Sequence, residues 1–453
     1  MKFQKPDFNP RIMPPKLKVL TLEVEKFDNN FAGVCYKNGR RYVIDGAIPG
    51  DVVKAAAVES FNNITYCGLL AVVKPSEKRV RPKCRYYDSC GGCDFMAVGL
   101  KDELAFKTDY VRRRLFPFGT EVRDAVGEKG FRNKITLAFE KTNGKLNVGF
   151  IDDKTKKVTD VSECLMHEAV FSDLVKALRF WIEDNDVSIY VPRFGTGTLR
   201  FAVARYLDGQ LLLTVVGTKS LPSTEDLYKK LKKRFPKVGL FENVNAEKTN
   251  EAVVGDVKHL YGEKFIESEM LGVKFRLGPD SFFQTNAAVC GKIYEDALEI
   301  VKGKNPSVVY DMYSGIGITS ALFSRVAKKV VSVEIVKKAA RAQKELLSEN
   351  GISNVEVIEG DTEEALKNVA VEKGGVFFVD PPRRGLSGAT EEILRFKPNA
   401  VLYLSCNPDT LVKDVEKFVA AGYKAVSATP YNMFRATTHV EIMVLLEKTE
   451  NDE

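Results

Sequence analysis

The strongest constraint on the fold of this chain is a change in sequence pattern near residue 281. From there to residue 449, short apolar runs alternate with amphipathic segments of helical length. Apolar runs without polar alternation predict strands buried on both faces, so the pattern indicates an α/β fold whose parallel sheet is covered by helices on both sides. Ligands of such folds bind at the carboxyl ends of the strands. The predicted strands are Ser307–Tyr310, Val330–Val333, Val355–Ile358, Gly375–Val379 and Val401–Leu404, and a helix is predicted over Val336–Asn350.

The part of the chain before residue 281 has a different pattern. Five short β-rich runs between turn residues predict a small β-barrel over residues 12–75. Residues 76–280 are predicted to form a central domain of mixed α+β structure, with a helix over 100–115. Three domains are therefore expected, at 12–75, 76–280 and 281–449. The five N-terminal runs are Leu17–Val24, Gly33–Tyr36, Arg41–Ile44, Val52–Val58 and Tyr66–Val73, and the central strands are Lys134–Phe139, Leu199–Ala204 and Leu211–Val216.

The composition predicts a protein that is neither secreted nor membrane-spanning. The N-terminus lacks the apolar segment of a signal peptide, and no run of about 18 residues is apolar and uncharged. We therefore expect a cytoplasmic location without membrane attachment. We also expect a monomer. The formal net charge of +7 permits a polyanionic partner but does not require one.

Three of the eight cysteines, Cys84, Cys90 and Cys93, fall within ten residues. In a reducing compartment structural disulfides are not expected. A cluster of this kind therefore indicates ligation of a metal ion or a metal cluster.

A glycine-rich turn, Asp311–Thr319, follows the first strand of the C-terminal domain. Glycines let the backbone approach a ligand closely, and the N-terminus of the following helix offers N–H groups. Glu334 ends the second strand, where a carboxylate can accept hydrogen bonds from ribose hydroxyls. After the third strand, Asp361 or Glu359 is placed to reach an adenine edge. Because Ser320 stands where a dinucleotide-binding turn has its third glycine, an adenosyl ligand without a pyrophosphate is favoured.

Two further strand ends carry candidate catalytic groups. The fourth strand runs into an Asp-Pro-Pro-Arg sequence at 380–383, in which the prolines hold Asp380 rigidly. Enzymes that methylate amino groups have an aromatic residue after this Pro-Pro pair, so Arg383 argues against that reaction. The fifth strand delivers Cys406, and a helix starting near Asp409 is expected to lower the pKa of the thiol. A plain proline turn and a buried structural cysteine are the alternative interpretations.

A candidate general base lies near the C-terminus. Glu441 precedes the apolar strand Ile442–Leu446, and His439, two residues earlier, shares its side of a strand. Either residue alone is also typical of a polar group with an ordinary structural role. The chain has only three histidines, so a high histidine content does not explain His439.

At these residues the chain resembles the RNA 5-methyluridine methyltransferase family, which acts on 23S ribosomal RNA or on transfer RNA. The resemblance spans nearly the whole chain. It implies a Rossmann-like, S-adenosylmethionine-dependent methyltransferase domain at 281–449 and methylation of carbon 5 of a uridine. The motifs that carry it are Ser281-Phe282-Phe283-Gln284-Thr285-Asn286, the Asp311–Gly317 turn, the Asp-Pro-Pro-Arg sequence at 380–383, Ser405-Cys406-Asn407-Pro408 and Thr438-His439-Val440-Glu441.

The resemblance also implies roles for individual residues. Cys406 would be the nucleophile that adds to carbon 6 of the uracil, which makes carbon 5 reactive towards a sulfonium methyl group. Glu441 would be the base that removes the carbon 5 proton before the thiolate leaves. The target base must leave its stack to reach such a site. The implied contacts of S-adenosylmethionine are Gln284, Tyr313, Glu334, Asp361 and Asp380, with Phe282 and the Phe-Arg-Asn-Lys segment at 131–134 near the target base.

In the N-terminal half, residues 12–75 resemble a TRAM domain, an OB-like RNA-binding barrel, through Phe31–Val34 and Ala47–Val53. The cysteines resemble the family's ligand set for a 4Fe-4S cluster, and zinc is the alternative because four cysteines also bind zinc. A TRAM domain with a cysteine cluster favours 23S ribosomal RNA as the substrate, with transfer RNA as the alternative. The implied cluster ligands are Cys84, Cys90, Cys93 and Cys164.

The chain departs from the family pattern in places. Ser314 and Ile318 stand where the family often has Cys and Asn, which affects details of the cofactor contact. Residues 432–435 read Asn-Met-Phe-Arg where Asp-Met-Phe-Pro is frequent, which makes the loop before Glu441 less rigid.

Two other functions compete with uridine methylation. RNA 5-methylcytosine methyltransferases normally use two active-site cysteines, whereas only Cys406 follows a strand here, and a non-catalytic RNA-binding iron–sulfur protein would leave Cys406 and Glu441 unexplained.

Overall fold

The computed structural model describes residues 17–127, 130–152, 155–247, 249 and 251–449. These residues divide into two compact units. The first unit comprises the described residues up to 106, together with those in 149–161 and 435–438, and the second comprises the rest. Among the described residues, no helix is both long enough and apolar enough to cross a membrane.

The first unit contains one six-stranded sheet. Its strands are β1 (Val19–Glu23), β2 (Lys26–Phe27), β3 (Gly33–Lys37), β4 (Arg40–Ile44), β5 (Val52–Phe61) and β6 (Ile64–Lys74). They lie in the order β1-β5-β6-β4-β3-β2. The five predicted runs are therefore strands, but within the described residues β1 and β2 remain the two edges of an open sheet. A closed barrel needs its edge strands to pair with each other, so the predicted barrel is not formed by these residues.

The described residues in the middle of the chain form three α-helices and most of a second sheet. Its elements are α1 (Leu100–Leu115), a 3₁₀ turn (Phe116–Phe118), β7 (Glu121–Val122), β8 (Lys134–Thr142), β9 (Lys145–Ile151), β10 (Val158–Asp160), α2 (Phe171–Asp184), β11 (Leu199–Leu207), β12 (Gln210–Gly217), α3 (Thr224–Lys232), β13 (Lys237–Val244), β14 (Lys258–Gly262), β15 (Ile266–Met270) and β16 (Val273–Leu277). In the second unit the strands follow the order β9-β8-β11-β12-β13-β14, and β15 and β16 form a separate hairpin. The predicted helix over 100–115 and the three predicted central strands are all confirmed.

The C-terminal part of the second unit alternates helices and strands. Its elements are α4 (Ala287–Gly303), β17 (Val308–Met312), α5 (Ile318–Phe323), β18 (Lys329–Glu334), α6 (Lys337–Glu349), β19 (Val355–Glu359), α7 (Thr362–Asn368), β20 (Val376–Val379), α8 (Ala389–Arg395), β21 (Ala400–Ser405), α9 (Pro408–Ala420), β22 (Tyr423–Tyr431) and β23 (Glu441–Lys448). The sheet order is β19-β18-β17-β20-β21-β23-β22-β7. Every residue of β17, β20 and β21 is buried, which is why these strands read as unbroken apolar runs.

The sheet places its strand ends in a way that builds a crevice. Strands β19, β18, β17, β20 and β21 are parallel, so their carboxyl ends meet at one edge. The strand order turns back at β17, which has β18 on one side and β20 on the other, and ligands of open α/β sheets bind at such a reversal. Strand β23 enters antiparallel to β21, so the start of β23 lies beside the end of β21. The α/β prediction is confirmed, with β22 and the antiparallel position of β23 added.

Candidate active site

The predicted catalytic residues lie on neighbouring strands of the C-terminal sheet. Cys406 follows β21 directly, and Glu441 is the first residue of β23. In the pairing of these strands Ser405 lies opposite Ile442, so the chain positions of Cys406 and Glu441 are adjacent across the ladder. Asp380 follows β20, the other neighbour of β21. The structure therefore brings together a thiol and two carboxyl groups that are far apart in sequence.

The glycine turn after β17 forms the opposite side of the crevice. Tyr313 has a φ of 62° and Gly317 a φ of 85°, both in the left-handed region. A Cβ atom at Gly317 would clash with the side chain of Gln343, so this position also requires the small size of glycine. Glu334, at the end of β18, accepts hydrogen bonds from the Gly315 amide at 2.8 Å and from the Val336 amide at 2.7 Å. Its carboxylate is thus held against the turn.

A buried polar network supports this turn from behind. The Oδ2 atom of Asp311 accepts hydrogen bonds from the hydroxyls of Thr319, at 2.7 Å, and Ser320. Gln343 donates to the Ser320 and Ser332 hydroxyls at 2.9 and 2.6 Å. Burial raises the pKa of Asp311 to about 7, although the two hydroxyl donors oppose this shift. The sequence interpretation placed Asp311 in the turn without giving it a role.

Gln284 and Asp380 meet at the centre of the crevice. The Gln284 side-chain amide donates to Asp380 Oδ2 at 3.3 Å, although these residues belong to different sequence motifs. Burial raises the pKa of Asp380 to about 7, the charge of Asp311 adds to the shift, and the Gln284 hydrogen bond opposes it. Asn133 donates from its side chain to the Gln284 carbonyl at 2.9 Å and from its backbone to the Thr285 carbonyl at 2.8 Å. The 131–134 segment is therefore tied to the motif that contains Gln284.

Asp361 lies near Tyr313, but it also serves as a helix cap. Its Oδ1 atom accepts hydrogen bonds from the Glu363 and Glu364 amides, at 3.0 and 3.4 Å, at the start of α7. The Tyr313 hydroxyl is hydrogen-bonded to Thr362, and burial raises the pKa of this phenol, with the Asp361 charge adding to the shift. A cleft of about 430 Å³ lies beside β19 and α7, with Asp361 on its wall, and Cys406 is not part of its lining.

The thiol of Cys406 is partly buried and faces charged groups of both signs. Burial raises its pKa first and the nearby Glu441 adds to the shift, whereas a hydrogen bond from Arg383 opposes both. Helix α9 does begin two residues later, with Asn407 as its cap. The predicted lowering of the thiol pKa is nevertheless wrong, because desolvation outweighs the cationic neighbour.

Glu441 is buried more deeply than the thiol. Its residue is 3% exposed, and burial raises its pKa to about 8. The charge of Asp380 adds to this shift and the guanidinium of Arg383 opposes it. Glu441 therefore holds its proton to a higher pH than an ordinary glutamate does.

Arg383 is a further charged residue of the candidate site, and its effect on the neighbouring ionisable groups was missed from sequence. Its guanidinium acts on both Cys406 and Glu441. Its backbone carbonyl accepts hydrogen bonds from the Asn407 side chain at 2.7 Å and the Thr410 hydroxyl at 3.2 Å, which fix it to the start of α9. His439 lies before β23, with Nδ1 at 3.4 Å from Arg383 Nη2. The available signal was an arginine directly after the Pro-Pro pair.

Two aromatic side chains expected near the target base are open to solvent. Phe282 is 71% exposed and Phe131 is 48% exposed. Phe131 belongs to the segment 131–134 and Phe282 to the segment 281–286, and the hydrogen bond from Asn133 to Gln284 joins these two segments. Large exposed aromatic surfaces of this kind suit stacking on unpaired bases.

The predicted cysteine ligands are distributed over both units. Cys84, Cys90 and Cys93 belong to the first unit and Cys164 to the second, and all are partly buried. Among the described residues, no group of three or more His, Cys, Asp or Glu side chains is arranged to hold a metal ion. The described residues thus give no support to the predicted metal site.

Comparison with known proteins gives consistent matches along the chain. The family described as tRNA (Uracil-5-)-methyltransferase matches residues 100–449. An uncharacterized RNA methyltransferase of Clostridium tetani is 33% identical over 428 residues, covering 91% of this chain and 93% of the relative. One from Listeria innocua is 32% identical, covering 95% and 98%. The fold is similar to the crystal structure of Pyrococcus abyssi tRNA (uracil-54, C5)-methyltransferase in complex with S-adenosyl-L-homocysteine, with a TM-score of 0.77, 24% identity, and coverage of 94% of this chain and 100% of that one.

Proposed function

This chain belongs to the tRNA (uracil-5-)-methyltransferase family and is an S-adenosylmethionine-dependent RNA methyltransferase, and we propose that it methylates carbon 5 of a uridine through a covalent bond from Cys406 to carbon 6. The observation that carries the proposal is the placement of Cys406 beside Glu441, with Arg383 acting on both, at the strand ends that face the glycine turn. A thiol and a general base are the two groups that this chemistry requires.

The residues around the crevice fit an adenosyl ligand with a cationic sulfur. S-adenosylmethionine supplies an electrophilic methyl group when it is bound. We assign Glu334 to the ribose hydroxyls, Tyr313 and Asp361 to the adenosine end, and Gln284 and Asp380 to the methionine end. Burial and the charge of Asp311 raise the pKa of Asp380, so a positive charge in the crevice would favour its ionised form.

The proposed reaction begins when the thiol of Cys406 releases its proton to solvent. The thiolate adds to carbon 6 of the uracil, and the electron pair of the carbon 5–carbon 6 double bond moves to the enolate formed by carbon 5 and oxygen 4. Carbon 5 then takes the methyl group, and the carbon–sulfur bond of the donor breaks to leave S-adenosylhomocysteine. Glu441 removes the carbon 5 proton, the double bond re-forms and the Cys406 thiolate leaves.

The electrostatics of the site match this order of events. The carboxylate of Glu441 raises the pKa of Cys406, so ionisation of the thiol is easier while Glu441 is protonated. Once the sulfur is bonded to carbon 6, its negative charge no longer opposes the ionisation of Glu441, and Arg383 favours that ionisation. The two groups can therefore act as anions in succession, whereas their simultaneous ionisation is disfavoured.

Two variants test this proposal directly. Cys406→Ala should abolish formation of 5-methyluridine and still bind RNA, whereas Cys35→Ala, in the first unit, should keep the activity. Glu441→Gln should transfer the methyl group and remain covalently attached to RNA, giving a species that resists denaturation on a gel. Full activity of Cys406→Ala would reject the covalent mechanism, and labelled methyl groups found only on cytidine would reject the uridine assignment.

For the substrate, we favour 23S ribosomal RNA, with transfer RNA as the alternative. The TRAM-like sequence of the N-terminal region and the cysteine spacing support the first. The name of the matched family and the Pyrococcus abyssi neighbour, a tRNA (uracil-54, C5)-methyltransferase, support the second. Mapping 5-methyluridine in both RNAs from a strain that lacks this protein distinguishes them, because only the true substrate loses the modification.

A 4Fe-4S cluster on the predicted cysteines, with zinc as the alternative, remains part of the proposal on the strength of the resemblance alone. No step of the reaction above depends on it. Visible absorbance of anaerobically purified protein would indicate iron–sulfur, and a colourless protein with bound zinc would indicate the alternative. A protein that binds RNA and a cluster without methylating any RNA would instead support the non-catalytic function.

We also propose a division into three domains, at 12–75, 76–280 and 281–449, and a monomeric state. Limited proteolysis would test the division, and sedimentation would test the monomeric state.

A further inference from the structure

Two cationic side chains lie directly opposite each other in the sheet of the second unit. Arg205 on β11 pairs with Lys134 on β8. Directly paired residues share a face of the sheet, and like charges at such positions repel each other. The sequence separates these two residues by the whole of β9, β10 and α2, so only the pairing of the strands reveals the contact.

Arg205 is a buried cation without a counterion. It is 2% exposed, and its Nη2 donates to the backbone carbonyl of Ser281 at 2.5 Å. Its Nε and Nη1 atoms are buried and have no hydrogen-bond partner, and no carboxylate among the described residues pairs with it. Burial alone lowers its pKa to about 10. Buried charges in proteins are normally paired, so this arrangement is costly unless an anion approaches it.

Lys134 is the exposed member of the pair. Its side chain makes no hydrogen bond or ion pair with the described residues, and its pKa is lowered first by desolvation and then by the charge of Arg205. An anion that contacts the Lys134 ammonium would also be attracted by Arg205 across the poorly solvated space beneath it. The guanidinium itself need not be exposed for this attraction to act.

The surroundings of the pair identify the kind of anion. The Ser281 carbonyl that binds Arg205 directly precedes Phe282, whose ring is open to solvent. Asn133, the neighbour of Lys134, is hydrogen-bonded to Gln284, which in turn contacts Asp380 in the crevice. Hydrogen bonds therefore tie the strands that carry the two cations to the segment that carries the exposed Phe282 ring and Gln284. A nucleotide bound there would carry its phosphate close to them.

We propose that Lys134 and Arg205 form a binding site for a backbone phosphate of RNA, adjacent to the uridine that enters the crevice. The proposal rests on the RNA-methylating function proposed above and adds the residues that hold the RNA backbone. Lys134 contacts the phosphate, and Arg205 strengthens the positive potential from beneath.

The test measures RNA affinity over a range of salt concentrations, with a fluorescent oligouridylate as the probe and no S-adenosylmethionine. Loss of one phosphate contact to single-stranded RNA reduces the slope of log affinity against log salt by roughly 0.7. We expect this reduction in Lys134→Gln, with an affinity roughly fivefold to tenfold weaker. Lys141→Gln is the matched control, because Lys141 is an exposed lysine on the same strand. Equal slopes for Lys134→Gln and Lys141→Gln would overturn the proposal.

Arg205→Met separates a binding role from a structural one. Removing an unpaired buried charge should leave the melting temperature unchanged or raise it, while the affinity for RNA falls. A lower melting temperature with unchanged RNA affinity would show that Arg205 only supports the sheet. Inorganic phosphate should raise the melting temperature of the wild type and of neither variant. If phosphate stabilises the wild type but Lys134→Gln leaves the salt dependence of RNA binding unchanged, the pair is an anion site unrelated to RNA, and the proposal is overturned.

These outcomes are distinct from failure of the proposed function. The binding measurements require no methyl transfer, so they remain informative for a protein that forms no 5-methyluridine. Conversely, a wild type that forms 5-methyluridine, together with a Lys134→Gln variant of unchanged slope, would overturn the phosphate site and leave the methylation mechanism intact.

Discussion

Replacing Arg383 by Met should raise the pKa of Cys406, because it removes a cation that hydrogen-bonds to the sulfur. Burial and the Glu441 carboxylate both raise this pKa, and Arg383 opposes them. The methionine side chain keeps a similar length and removes the charge. The thiolate fraction at neutral pH should therefore fall, and with it the rate of addition to the base.

The size of the effect follows from the exposure of the contact. A hydrogen bond to a charged group contributes about 1.5–3 kcal/mol, and solvent screening of the exposed Arg383 side chain reduces this to about 1 kcal/mol. That energy corresponds to a thiolate fraction at neutral pH that is about fivefold smaller. Glu441→Gln should shift the pKa in the opposite direction, because it removes a carboxylate that disfavours the thiolate.

The assay is the rate of iodoacetamide alkylation at Cys406 as a function of pH, followed by mass spectrometry of the peptide that contains it. Arg384→Met is the control, since Arg384 is the adjacent exposed arginine, whereas Arg383 is the one that hydrogen-bonds to the thiol. The reasoning would be refuted if Arg383→Met and wild type gave the same pH profile, or if Arg383→Met and Glu441→Gln shifted it in the same direction.

Three further predictions concern the supporting structure. The pKa of Asp311 in the folded state is raised to about 7. The free energy of unfolding should therefore fall as pH rises from about 4 to 7, and the melting temperature of Asp311→Asn should depend less on pH than that of the wild type. Gly317→Ala should lower the free energy of unfolding in urea by at least about 1–2 kcal/mol, because Gly317 has a left-handed φ and an added Cβ atom would clash with Gln343. Gly291→Ala is the control and should leave this free energy unchanged or raise it, because Gly291 lies on α4 with open space around it. Asp361→Ala should lose about 1 kcal/mol of stability through the cap of α7, whereas Asp361→Asn keeps the capping oxygen; equal losses in the two variants would contradict the capping role.

Local pattern was sufficient for most of the C-terminal sheet. Strands β17, β20 and β21 are buried on both faces, so their sequences are apolar throughout and recognisable without knowledge of their neighbours. The rule that ligands bind at the carboxyl ends of parallel strands then placed Asp380 and Cys406 at one edge. By contrast, whether the N-terminal strands close into a barrel depends on pairing between distant edges, and the described strands leave β1 and β2 as edges of an open sheet.

The residue types at the site could be read from the order of amino acids, because strand ends, glycine turns and capping residues are specified within a few positions of the chain. The protonation behaviour of those residues could not, because desolvation is the sum of contacts with many remote segments. For this reason the predicted shift of the Cys406 pKa had the wrong sign. Arg383 affects both Cys406 and Glu441 because the pairing of β23 with β21 brings these two residues together. The unpaired charge of Arg205 opposite Lys134 likewise exists only in the folded sheet, where two separated strands lie side by side.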